Sequence, residues 1–176
     1  MSLAPAAVTV ATLNVDIASL TSQLNELAEL EQLAADTYAS RAASLPEPWM
    51  SAKAEEFRAG ALRARETAME LMRMVGGRPS GQGRGLATAF ARARSGEARA
   101  DERLGRLHSL QDMLVAAFLT ATGWAMVESM AYGIGDPRLI EAAEHQVEEK
   151  SLPYQWLLAI TRQYSSWAVL KPPSEG

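Results

Sequence analysis

Apolar residues recur at alternating steps of three and four through four long stretches of this chain, and breaks rich in glycine and proline separate them. That pattern constrains the fold more than anything else in the sequence. A repeat near 3.6 gathers side chains on one face of a helix, whereas a half-buried strand needs strict alternation. The first helix is predicted over residues 14–43, with Ile17, Leu20, Leu24, Leu27, Ala34 and Tyr38 on one face, and Leu45-Pro46-Glu47-Pro48 breaks it. The second covers residues 49–75, with Ala54, Phe57, Ala61, Ala68, Met72 and Val75 on a similar stripe, and stops at Gly76-Gly77-Arg78-Pro79. The third covers residues 100–132, with Leu107, Leu110, Leu114, Ala117, Ala121, Trp124, Glu128 and Ala131 facing inward. Gly133-Ile134-Gly135-Asp136-Pro137 turns the chain, with Asp136 placed to cap the next helix and Pro137 in its first turn. The fourth helix carries Leu139, Ile140, Ala143, Val147, Tyr154, Leu157 and Leu158, and Pro153 is expected to kink or divide it.

The breaks are unequal. Residues 76–85 hold five glycines and are followed by an expected short helix over residues 86–94, so this midpoint connection is long. Short loops make neighbouring helices antiparallel, while a long one carries the chain from one end of a bundle to the other, as ferritin-like folds require between their second and third helices. The expected fold is therefore all-α: an antiparallel four-helix bundle of ferritin-like type, with a long crossover from helix two to helix three. One domain is expected over residues 4–170, with residues 1–3 an expression scar and 171–176 a frayed tail.

Composition narrows the functions. The absence of cysteine excludes disulfides, thiolate catalysis and cysteine zinc sites, and fits a cytoplasmic protein. A net charge of -4 argues against nucleic acid and acidic membranes as partners. Arginines 78, 84, 92, 94 and 99 make the crossover locally basic, but Glu97, Asp101 and Glu102 offset them and no aromatic residues interleave for base stacking. Residues 4–13 lack the positive flank of a signal peptide. Residues 113–127 carry no charge, yet a membrane span needs about 20 apolar residues. The run reads instead as a buried central helix or a dimer face, with Met113, Phe118, Met126 and Met130 beyond the core stripe.

The carboxylates are the candidate site. Glu31 continues the stripe Ile17-Leu20-Leu24-Leu27 and precedes Ala34 and Tyr38, so its spacing turns it inward, while Glu29 falls on the solvated face. A buried carboxylate needs a hydrogen-bond donor, a counter-charge or a metal. Arg63, Arg65 and Arg73 are candidate counter-charges, and Glu66, Glu128, Glu144 and Glu148 are further carboxylates near core stripes. Four-helix di-metal sites take one glutamate from each of two helices and a Glu-x-x-His from each of the other two. Only His108 and His145 exist, and the residues three before them are Gly105 and Ala142, so neither completes that motif.

Glu31-Gln32, Glu66-Thr67, the turn Ala131-Tyr132-Gly133-Ile134-Gly135-Asp136, and Glu148-Glu149-Lys150 followed by Trp156-Leu157 resemble the ferritin-like superfamily. Within it the chain is most similar to the small bacterial YciE/YciF-type stress-associated proteins. The resemblance implies a bundle able to hold two irons, with Glu31, Glu66 and Glu148 or Glu149 at acidic positions. The expected acid of helix three falls near Thr120, and Glu128 lies eight residues beyond, or about 12 Å along a helix. The expectation is a non-catalytic bundle with an incomplete di-iron ligand set, no cofactor, and a role through protein contacts as a homodimer or with another protein. The alternative is an iron-type oxidoreductase or iron-handling stress protein using Glu31, Glu66, Glu148 and Glu149 with iron or another divalent metal.

Overall fold

A computed structural model describes residues 16–45, 47–78, 85, 87, 89–90 and 102–169, and no strand occurs among them. Its long helices are α1 (Ile17–Ala42), α2 (Pro48–Met74), α3 (Glu102–Ile134) and α4 (Pro137–Val169). The arginine-rich crossover, most of the short helix expected over residues 86–94, and both chain ends lie outside the described residues; within that stretch, residues 87, 89 and 90 are helical.

Local chemistry sets the helix ends. Asp16 caps α1, its carboxylate accepting from the Ala18 amide at 3.0 Å and the Ser19 hydroxyl at 2.8 Å. Pro48 opens α2, where its missing N–H has no helical acceptor to leave unmet. The Ser51 hydroxyl then donates to the Ala42 carbonyl at 2.8 Å and ties the start of α2 to the end of α1. Asp136 caps α4 by accepting from the Arg138 amide at 3.0 Å, as its place before Pro137 predicts. Gly135, at φ 77°, closes α3 by donating to the Ala131 carbonyl at 2.9 Å. Pro153 does not divide α4, which runs unbroken through it. A proline there removes one donor but leaves the flanking turns free to continue.

α1 packs against α2 and α3, α3 packs against α4, and α2 meets α4 more loosely. The interior divides into two apolar clusters. One gathers Ala34, Tyr38, Met50, Phe57, Leu110, Met113 and Leu157; the other gathers Leu20, Leu24, Leu27, Met72, Trp124, Val127 and Leu139. Met113, expected beyond the core stripe of α3, is fully buried, because the inward face of α3 is centred on Met113, Ala117, Thr120, Trp124 and Val127. Phe118 and Met126 do lie outside it and are exposed. α3 is long and apolar enough to cross a membrane by length and composition, and it also supplies these core residues.

Candidate functional site

Between the two apolar clusters sits a charged pair. Glu31, 0% exposed, points inward from α1 as its spacing predicts. The Lys150 ammonium, from α4, donates to Glu31 Oε2 at 2.7 Å, and the Trp124 indole N–H, from α3, donates to Oε1 at 2.8 Å. Lys150 is 6% exposed and also lies 3.5 Å from the Gly60 carbonyl of α2. All four long helices therefore meet at one charged centre.

Burial dominates the electrostatics. It pushes the Glu31 carboxyl above its ordinary value, against the opposing pull of Lys150 and the Trp124 hydrogen bond. Burial likewise holds the Lys150 ammonium below its ordinary value, against the attraction of Glu31. The Tyr38 hydroxyl is pushed up by burial and by the nearby Glu31 charge. Removing two ions from water costs several kcal/mol each. Two charge-assisted hydrogen bonds to a single carboxylate offset part of that cost.

Lys150 also borders a groove of about 490 Å³ between α2 and α4. Phe57 and Trp156 form its aromatic wall, with ring centroids 5.4 Å apart and edge to face, and Trp156 meets Trp49 in the same manner at 5.8 Å. Lys53, Glu56, Arg63 and Glu149 lie along its lips. Lys53 is paired with Glu56 at 2.5 Å and sits 5.6 Å from the centre of the Phe57 ring.

The other carboxylates lie elsewhere. Glu66 is exposed and pairs with Arg65 at 3.0 Å; Glu148 and Glu149 are exposed on α4; Glu128 is half-buried; and Glu144 is exposed, accepting from the Tyr132 hydroxyl. Glu29, expected on the solvated face, is half-buried, with one oxygen out of water beside a smaller cleft shared with Asn25, Gln32 and Arg65. Thr120 is buried and donates to its own helix at the Ala116 and Ala117 carbonyls, 3.2 and 3.1 Å away. Among the described residues, no three His, Asp or Glu side chains gather as metal ligands. Among the described residues the donor set does not fit a di-metal centre: the one buried carboxylate, Glu31, has both oxygens engaged, one of them by an ammonium.

Of the three candidate arginines, Arg65 pairs with Glu66, and none supplies the counter-charge to Glu31. Lys150 and Trp124 supply the partners, and the sequence carried a signal for each. Lys150 lies on the stripe Val147, Tyr154, Leu157 at steps of three and four, the same argument that turns Glu31 inward. Trp124, already on the α3 stripe, brings an indole N–H that seeks an acceptor when buried. No protein-family model matches the sequence, and no curated protein matches it.

Proposed function

We propose that the chain is an antiparallel bundle of ferritin-like topology that carries no catalytic centre and acts through protein contacts, as a homodimer. The Glu31–Lys150 pair carries this reading. It lies in the bundle core, the region where di-metal bundles build their carboxylate sites, and here the buried carboxylate is answered by an ammonium at 2.7 Å. Opposed chain directions are supported by contacts at the ends. Arg41, late in α1, and Ser44, just past its end, meet Asp112 and Ser109, early in α3, at 2.7 and 2.8 Å, while Leu27, earlier in α1, lies against Gly123, later in α3.

The contact surface in this reading is the outer face of α3, where Val115, Phe118, Met126 and Tyr132 are exposed and no charged residue falls between Met113 and Val127. Exposed apolar side chains on an uncharged helical stretch, interrupted only by the small polar Thr122, are what a protein contact uses. Light scattering after size exclusion tests the assembly, and ferrous reconstitution under anaerobic conditions followed by elemental analysis tests the site. A dimer with sub-stoichiometric iron is expected. A strict monomer at micromolar concentration overturns the assembly, and iron bound at one or two per chain overturns the non-catalytic reading.

A further inference from the structure

The groove between α2 and α4 combines three features that the ion pair alone does not require. Its volume, about 490 Å³, falls among small-molecule sites, which span about 300–1,000 Å³. One wall is aromatic, formed by Phe57 and Trp156. The third feature is a pair of cations gathered at Gly60. Lys150 Nζ lies 3.5 Å from the Gly60 carbonyl, and a Cβ built on Gly60 would stand 3.8 Å from Arg63 Nη2.

We propose that this groove binds a small organic monoanion with a flat apolar body, its carboxylate held by Arg63 and Lys150 beside Gly60 and its body laid against Phe57 and Trp156. Arg63 makes no ion pair among the described residues, so its planar fork is open to a carboxylate. An ammonium has three donors. Glu31 takes one of those of Lys150 at 2.7 Å and the Gly60 carbonyl a second at long range, which leaves the third for a ligand oxygen. Lys53 and Glu56 neutralise one another along the groove. Glu149, on the other lip, repels a second negative charge and so restricts the ligand to one.

Gly60 supports the assignment from a different direction. Glycine inside a helix is less stable than alanine because it orders a freer backbone. Nothing crowds this one, since its nearest neighbour to a Cβ stands at ordinary contact distance. What its missing side chain leaves is open groove lining beside Arg63, on the residue whose carbonyl Lys150 approaches.

Isothermal titration of the full chain with indole-3-propionate, and with its primary amide, tests the site. Saturable one-to-one binding of the acid is expected, with the amide about ten-fold weaker because the charge-assisted hydrogen bonds are lost. Arg63→Gln should weaken the acid by about the same factor. Gly60→Leu should abolish binding by filling the groove there, with a thermal midpoint no lower than the parent's. Lys150 stays in place, since its removal strands Glu31. Absence of saturable binding by the acid, equal binding of the amide, or full binding by Gly60→Leu overturns the proposal. The titration reads the same in a monomer or a dimer, so its failure is separable from failure of the dimer reading.

Discussion

Glu31 is tolerated in the interior because two donors from two other helices reach its two oxygens, so neither is left bare. That arrangement makes each partner costly to remove alone and the pair cheap to replace together. Lys150→Met or Glu31→Ala is expected to lose about 3–5 kcal/mol, because each leaves a buried charge unpaired. Glu31→Gln with Lys150→Met keeps an acceptor for Trp124, and should recover most of that loss. A urea-unfolding double-mutant cycle measures the coupling, and additive losses would show that the pair does not interact. The same residues set a pH dependence. The Glu31 pKa is raised by burial, so its contribution to stability is complete below the unfolded carboxyl's pKa and is lost as pH rises through the folded one. The Lys150 pKa is lowered by burial, so its contribution is complete above the unfolded lysine's pKa and is lost as pH falls through the folded one. Between those limits the pair is least favourable.

At the scale of the element, α3 carries two opposite faces along one helix. Inward it supplies Met113, Trp124 and Val127; outward it exposes Val115, Phe118 and Met126. Gly123 lets α1 come close, since a Cβ there would stand 2.7 Å from Leu27 Cδ1, and Leu27 is itself fully buried. Gly123→Ala is therefore expected to lose about 1–2 kcal/mol through overpacking, more than its gain in helix propensity. Gly60→Ala, whose Cβ would meet only Arg63 at ordinary contact distance, should instead gain about 0.5–1 kcal/mol. Thermal unfolding of the two variants decides the matter; shifts of the same sign would mean that α1 and α3 are not in close contact at Gly123. Element boundaries were legible in the sequence, since caps, prolines and glycines act within a few residues of themselves. The unbroken passage of α4 through Pro153 was not, because whether a helix continues past a proline depends on packing along its length.

For the whole molecule, the question is what the outer face of α3 meets. If two copies pair through it, Phe118→Asp places a charge in the contact and should shift the chain to monomer in sedimentation at concentrations where the parent is a dimer. The variant's thermal midpoint at low concentration should remain near that of the parent, because Phe118 is 50% exposed in the single chain. A variant that stays dimeric would move the contact to another surface.

The sequence by itself determined the helices, the inward turn of Glu31 and the lack of Glu-x-x-His motifs, because periodicity and spacing are properties of one segment at a time. It also placed Trp124 on an inward stripe and held the same periodicity at Lys150, without saying which residue either would meet. Only the tertiary structure decided that a lysine 119 residues away and a tryptophan 93 residues away share one carboxylate, and that Glu66, Glu148 and Glu149 turn to solvent. The reason is geometric. A stripe fixes a side chain's direction about its own axis, whereas partnership depends on the relative height and rotation of separate helices, which the packing of all four sets together.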